Sequence, residues 1–182
     1  FRFGVIHHRN GLASLEYLEK AVDLLRDREV DLLVTGPIQK ESLRRAGAPW
    51  EGHTELLRDL TASRWTEMAF VGRRLRLLLV TRHLPFREIP KALSRPRILE
   101  AILRMHAMLR DYFGMIKPRL ILCGLNPHAG EGGLFGHEEA RAIAPAIQAA
   151  RKMRIDAHGP LPADGTLGRW KEAGFDAYVA MY

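Results

Sequence analysis

The sequence predicts an α/β protein in which helices cover a mixed β-sheet on both faces, an α/β/α arrangement. Short apolar runs, typical of buried strands, alternate with segments of helical spacing along the whole chain. Two strand-like runs are separated only by Gly72-Arg73-Arg74, which favours an antiparallel hairpin and therefore a mixed sheet. The composition, 47% hydrophobic and 27% charged residues, is that of an ordinary globular protein.

The first part of the chain is predicted to contain two strands and three helices. A short strand is expected over 1–8, and apolar residues spaced three and four apart predict a helix over 11–30. The apolar run "VDLLVTG" (30–36), closed by Gly-Pro, predicts a buried strand. Two helices follow: one ends at Gly47 and the other begins at Thr54.

The middle of the chain combines the hairpin with a long helix. The hairpin strands are predicted over 68–71 and 75–81. The helix is predicted over 94–113, because Ser94 is a suitable N-cap and Pro96 is tolerated in a first helical turn.

The last part of the chain continues the alternation. A strand is predicted over 120–124 and an alanine-rich helix over 137–153. The segment "IDAHGPLPADG" (155–165) has two prolines and two glycines, which predicts a loop. A short helix over 167–173 and a final strand over 176–182 complete the series.

The charge and the cysteine content limit the classes of protein to which the chain can belong. The net charge is +7, but the arginines alternate with acids, as in "LLRDREVD", which is typical of solvated helix faces rather than of a nucleic-acid site. The single Cys123 excludes an internal disulfide and favours a reducing compartment, so we expect a cytoplasmic protein. No run of eighteen apolar residues is present, so no membrane partner is expected.

Two histidines follow apolar strands and lie close to prolines. His83 follows the second hairpin strand, and His128 lies within "NPHAGEGG" (126–133), where glycines would let a ligand approach the backbone. A lone histidine near a strand end is more often a surface residue. Two imidazoles directed into one cleft, however, suit zinc, which would need a third protein ligand.

Four further residues are candidates for binding or catalysis. His53 and Thr54 lie where a helix begins, and a helix N-terminus can hold phosphate; the alternative is that Thr54 only caps the helix. Lys40 is a candidate for contact with an anionic substrate, or a solvated lysine. Asp164 is a candidate for orienting a hydroxyl or a ligand histidine, or for capping the next helix.

Six motifs of the chain resemble those of the 4-hydroxythreonine-4-phosphate dehydrogenase family in order and spacing. They are "TGPIQK", "AGAPWEGHTELL", "TRHLPFREIPKAL", "CGLNPHAGEGGLFGHEEA", "GPLPADG" and "DAYVAMY". The resemblance covers essentially the whole chain. It implies a fold similar to that of isocitrate and isopropylmalate dehydrogenases, with two α/β domains in the full-length family. Residues 1–182 would be one continuous fragment with the central metal-binding, substrate-binding and dimerisation parts, since the chain starts without Met and ends on a strand-like run.

The resemblance also implies a reaction: NAD- or NADP-linked oxidation and decarboxylation of 4-phosphohydroxy-L-threonine in pyridoxal 5'-phosphate biosynthesis. A divalent metal would assist, zinc first, with magnesium or cobalt as alternatives. His83 and His128 match two of three metal ligands, and the family's third stands directly after "AMY". His53 and Thr54 match substrate-binding residues. A homodimer that shares its site across the interface is implied, and the cofactor-binding residues stay unassigned.

Three alternatives stay open at this point. The first is a related dehydrogenase that acts on another hydroxy acid, a phosphorylated four-carbon sugar acid or a dihydrodiol carboxylate. The second is a basic nucleic-acid-binding module, whose affinity would fall steeply with salt. The third is an inert dimerisation or structural piece of a larger protein.

Overall fold

The computed structural model describes residues 4–50, 52–73, 75–169 and 174–182. The chain divides into two compact units, residues 1–66 and residues 67–182. In the part of the chain that the structure describes, no helix has both the length and the apolar character needed to cross a membrane.

The first unit is helical. Its helices are α1 (His8–Arg26), α2 (Lys40–Arg45) and α3 (His53–Leu60). The first two pack closely, since a Cβ on Gly11 would lie 2.1 Å from the carbonyl oxygen of Ser42. The large buried apolar side chains described in this unit are Leu18, Val22, Leu43 and Leu56.

Two strands predicted for this unit are not found among its described residues. The run 30–36 is not a strand, and Leu32 and Val34 are 68% and 83% exposed. An apolar run becomes a strand only where a neighbour accepts its backbone hydrogen bonds, and none of the described strands pairs with it. For the predicted strand 1–8, residues 1–3 lie outside the described residues, 4–7 are irregular, and His8 already begins α1.

The second unit is built on one mixed sheet, as predicted. Its strands are β1 (Ala69–Val71), β2 (Arg76–Leu79), β3 (Arg119–Cys123), β4 (Asp156–Leu161) and β5 (Ala177–Ala180). Their order across the sheet is β1-β2-β5-β3-β4. The first two form the expected antiparallel hairpin, and the other neighbours pair in parallel.

Helices cover the sheet and close its core. They are α4 (Ile89–Ala92), α5 (Arg95–Phe113), α6 (Ala144–Lys152) and α7 (Ala163–Gly168). The main core lies between one face of the sheet and the long helices, and it includes Ile98, Ile102, Met105, Leu120, Leu122, Ile143, Ile147 and Val179. The predicted cap of α5 is present, because the Ser94 hydroxyl accepts a hydrogen bond from the Arg97 amide at 3.4 Å.

The predicted loop 155–165 is wrong, because its first half is β4. Pro160 has no N–H to donate, but β4 is an edge strand, where a proline is tolerated. Gly159 lets the backbones approach, since a Cβ there would lie 2.4 Å from the Leu122 carbonyl oxygen. The helix predicted over 167–173 instead begins at Ala163, and residues 170–173 lie outside the described residues.

Candidate active site

The candidate ligands of the second unit emerge at one edge of the sheet. Strands β2, β5, β3 and β4 run in the same direction, so the segments after them leave at the same edge. His83 follows β2, His128 follows β3, Asp164 follows β4 and Tyr182 follows β5. In parallel sheets, this is the edge at which ligands bind.

The segment before His83 is tied to the end of β5. The amide and the hydroxyl of Thr81 both donate to the carbonyl oxygen of Met181, at 3.0 and 2.6 Å. Thr81 is buried, whereas His83 is exposed and has a φ of 54°. The backbone is therefore anchored two residues before the imidazole, and the imidazole itself is open to a ligand.

His128 and Asp164 line the same cavity of about 400 Å³, together with Cys123, Asn126 and Tyr182. Burial raises the pKa of the Cys123 thiol to about 11, so the part of the cavity wall that Cys123 forms is an un-ionised thiol. Asp164 lies in the first turn of α7, after Pro162, and makes no capping hydrogen bond. Its carboxylate is exposed and complements the positive end of the helix dipole.

The loop with His128 is a left-handed turn. Six consecutive residues, 128–133, have φ between 41° and 106°. His128, Ala129 and Glu131 are not glycines, and each such residue costs roughly 1–2 kcal/mol in this conformation. The turn therefore carries about 3–6 kcal/mol of unfavourable backbone energy, which other contacts must offset.

Glu139 holds the segment that leads into the turn. The residue is 6% exposed, and its Oε1 accepts the backbone amides of Leu125 and Asn126, each at 2.8 Å. Oε2 accepts from Nδ2 of Asn126 at 2.9 Å. Hydrogen bonds to a charged group contribute about 1.5–3 kcal/mol each, so these bonds are of the same size as the strain in the turn.

Asn126 also donates to the carboxylate of Glu138, the residue before Glu139. Its Nδ2 lies 2.8 Å from Oε2 of Glu138, and this hydrogen bond lowers the pKa of the Glu138 carboxyl. Neither Glu139 nor a role for the Asn126 side chain follows from the sequence, because a contact between residues 126 and 139 has no local signature. The consecutive acids in "GHEEA" are the one visible trace of it.

The residues of this edge fit a divalent metal in part. Neutral imidazoles are ligands that zinc accepts, and a catalytic zinc usually has three protein ligands. His83 and His128 follow the strands on either side of β5. Within the described ranges, no three His, Cys, Asp or Glu side chains lie close enough together to hold a metal ion. His83 and His128 could therefore provide two ligands of a metal ion, and a third ligand would have to come from elsewhere.

The first unit holds the other candidates. His53 is the first residue of α3 and lines a cavity of about 260 Å³ with Thr35, Gly36 and Pro37. The proposal that Thr54 caps α3 is wrong: the N-cap is Gly52, and no side chain makes a capping hydrogen bond there.

The free N-terminus of α3 lies beside Lys40. A Cβ on Gly52 would be 3.7 Å from a carboxylate oxygen of Glu55 and 3.9 Å from Cε of Lys40, which is exposed and begins α2. An uncapped helix N-terminus next to an ammonium group is suited to an anion. The structure thus brings Lys40 and His53 to the same end of α3.

Parallel strands with histidine and carboxylate side chains at their carboxyl ends are typical of α/β proteins that bind small molecules at that edge. The family described as "Pyridoxal phosphate biosynthetic protein PdxA" matches residues 1–182. A 4-hydroxythreonine-4-phosphate dehydrogenase of Pseudomonas aeruginosa is 41% identical over 181 residues, which are 100% of this chain and 55% of that protein. The chain belongs to the PdxA family.

Solved structures agree with this assignment. The 4-hydroxythreonine-4-phosphate dehydrogenase of Klebsiella pneumoniae is 36% identical with a TM-score of 0.94, over 100% of this chain and 55% of that one. A terephthalate 1,2-cis-dihydrodiol dehydrogenase of Burkholderia xenovorans is 26% identical with a TM-score of 0.72, over 100% and 57%. The chain thus spans about half the length of the proteins that it matches, and the predicted family and fold class are confirmed.

Proposed function

We propose that this chain is the central part of a longer protein that oxidises and decarboxylates 4-phosphohydroxy-L-threonine with NAD or NADP, in pyridoxal 5'-phosphate biosynthesis. The observation that carries the proposal is that His83, His128 and Asp164 each follow a strand of one parallel set, at the same edge of the sheet. The chain also belongs to the PdxA family. The buried, un-ionised thiol of Cys123 is compatible with the reducing cytoplasm that we propose as the location.

His83 and His128 would hold the divalent metal, with a third ligand contributed from outside this chain. Zinc is the first choice, and magnesium or cobalt are alternatives. When bound, the ion would supply Lewis-acid chemistry at the substrate oxygens. The exposed imidazoles and the left-handed turn would leave these oxygens access to both ligands.

Asp164 and Lys40 are proposed as the catalytic residues. The Asp164 carboxylate faces the cavity that His128 lines, so it would accept a proton from the substrate's hydroxyl or orient an imidazole. Lys40 would neutralise an anionic group of the substrate.

His53 and Thr54 would bind the substrate through its phosphate. The support is the uncapped N-terminus of α3, at which both residues and Lys40 lie. In a homodimer with a site shared across the interface, as proposed for the whole protein, these groups would complete one site.

A second candidate function is supported by the likeness to the dihydrodiol dehydrogenase. The whole protein would then act on another hydroxy acid, a dihydrodiol carboxylate or a phosphorylated four-carbon sugar acid. Identity to the two hydroxythreonine phosphate enzymes above is 41% and 36%, against 26% to the dihydrodiol enzyme, which favours the first candidate over a dihydrodiol carboxylate. Two relatives named "Putative D-threonate 4-phosphate dehydrogenase" are 38% and 36% identical, so only a substrate panel separates the first candidate from a phosphorylated four-carbon acid.

The test is NADH or NADPH formation by the full-length protein with 4-phosphohydroxy-L-threonine, before and after EDTA treatment. Activity that disappears on chelation and returns with zinc is the expected result. A folded, metal-loaded protein that is inactive on this substrate but active on another acid of a panel would establish the second candidate instead.

A further inference from the structure

We infer that Glu139 is a positioning residue for His128 and that it sets metal affinity through the backbone between β3 and the left-handed turn. The inference rests on the proposed role of His128 as a metal ligand. Glu139 is 6% exposed, and its hydrogen bonds go to the loop. It therefore acts on His128 through the chain that joins them.

The bonds of Glu139 fix the direction in which the chain leaves the sheet. Leu125 and Asn126 are the second and third residues after β3, and both donate their amides to one oxygen of Glu139. Two amides converging on one atom define the orientation of two successive peptide planes. His128 lies two residues further on, so its position depends on these planes.

Gly130 keeps the space that the carboxylate occupies, because a Cβ there would lie 2.8 Å from Oε2 of Glu139. A Cβ on Gly124 would meet Cα of Ala129 first, at 2.8 Å, and Oε1 of Glu139 at 3.2 Å. By contrast, a Cβ on Gly132 would meet nothing within 4 Å. These glycines therefore differ in role: Gly130 admits the carboxylate, Gly124 mainly admits the turn at Ala129, and Gly132 serves the turn alone.

A π-helical turn directs Glu139 at the loop. Residues 139–143 form this turn immediately before α6, and such turns occur frequently at functional sites. Glu138, the preceding residue, accepts a hydrogen bond at 2.8 Å from the side-chain Nδ2 of Asn126, which also donates to Glu139. The carboxylates of Glu138 and Glu139, adjacent at the start of this helix, thus both bind Asn126, which lies just before the left-handed turn.

A purely structural role for Glu139 would predict a loss of stability with metal affinity unchanged. Glu139→Gln keeps the size of the side chain, but its NH₂ group must face either Nδ2 of Asn126 or the two backbone amides, all of which are donors that need an acceptor. The matched control is Asp176→Asn: Asp176 accepts the backbone amide of Arg119 at 2.7 Å, at the opposite end of β3.

The experiment measures zinc affinity of the full-length protein by competition with a chromophoric chelator, together with the thermal midpoint. We expect Glu139→Gln to weaken zinc binding at least about tenfold, as changes to groups that orient metal ligands do. Asp176→Asn removes a carboxylate that accepts one backbone amide and is expected to change zinc affinity less than about twofold. Unchanged zinc affinity in Glu139→Gln, or equal losses in both variants, would overturn the inference.

A second pair of variants covers the case in which Glu139→Gln does not fold. Gly130→Ala displaces the carboxylate and Gly132→Ala does not, although both place alanine at positive φ. Only the first is expected to lower zinc affinity, and equal affinities would contradict the inference. His128→Ala separates the two proposals. If this variant still binds zinc, the proposed metal site is wrong. If His128→Ala loses zinc but the Glu139 and Gly130 variants keep it, only the positioning role of Glu139 is rejected.

Discussion

The imidazoles of His83 and His128 are exposed and belong to residues with φ of 54° and 52°. Removing an exposed side chain changes stability little, by about 0.5 kcal/mol or less. His83→Ala and His128→Ala in the full-length protein should therefore stay folded while bound zinc and activity fall at least about 100-fold. Zinc content, circular dichroism and turnover check this. His158→Ala, on β4, is the control and should keep its zinc.

His53 belongs to the uncapped start of α3, where an anion would gain from free amides and a nearby Lys40. His53→Ala should raise KM for the phosphorylated substrate about tenfold, the loss of one hydrogen bond to a charged group, with a smaller change in kcat. His106→Ala, on α5, should leave KM unchanged. An unaltered KM in His53→Ala would remove this residue from the substrate site.

The Cys123 thiol is 1% exposed, and burial raises its pKa from 9.0 to about 11. A raised pKa leaves less thiolate at any pH below it, and the thiolate is the nucleophile. Iodoacetamide should therefore modify the native protein much more slowly than the urea-unfolded protein at pH 8. Mass spectrometry measures both rates, and equal rates would mean that Cys123 is accessible in the fold.

At the scale of single elements, α5 shows how local signals define a helix. Ser94 caps its start, Pro96 lies in its first turn, and Gly114 ends it with a φ of 64°. Ser94→Ala should lower the free energy of unfolding by about 1 kcal/mol, because the Arg97 amide loses its acceptor. Ser94→Asp keeps an acceptor and should retain most of the stability. Urea unfolding distinguishes the two.

Elements whose signal is local were predicted from the sequence, and elements that depend on a distant partner were not. The hairpin of β1 and β2, the strand β3 and the helix α5 follow from apolar runs, caps and turns. The run 30–36 has the composition of a strand but no partner among the described strands. Residues 156–161 have Gly and Pro, yet β3 supplies the hydrogen bonds that make them a strand.

At the scale of the whole molecule, the two units differ in the size of their cores. The described core of the first unit has few large apolar side chains, whereas a continuous cluster fills the second. Local opening requires less free energy where fewer apolar contacts are lost. Amides of α1 and α2 should therefore exchange hydrogen faster than those of β3 and α5. Exchange followed by mass spectrometry tests this, and equal protection would mean that the first unit has stabilisation beyond its own core.

The site roles of His83 and His128 stay predictions, and the structure adds the strand order, which the sequence does not show. "NPHAGEGG" after an apolar strand indicated His128, and "TRHLP" indicated His83, because strand ends and glycines have local signatures. The strand order β2-β5-β3 decides that both loops leave at one sheet edge, and it brings strands that are far apart in sequence together.

By itself, the sequence determined the α/β class, the positions of most helices and strands, and the family motifs, since periodicity, caps and turn residues act over a few positions. The tertiary structure alone decided that 30–36 pairs with none of the described strands, that 156–161 is an edge strand, and that Glu139 accepts the amides of Leu125 and Asn126. The physical reason is that strand pairing and buried hydrogen bonds need a partner from elsewhere in the chain, and that partner is placed only when the chain folds.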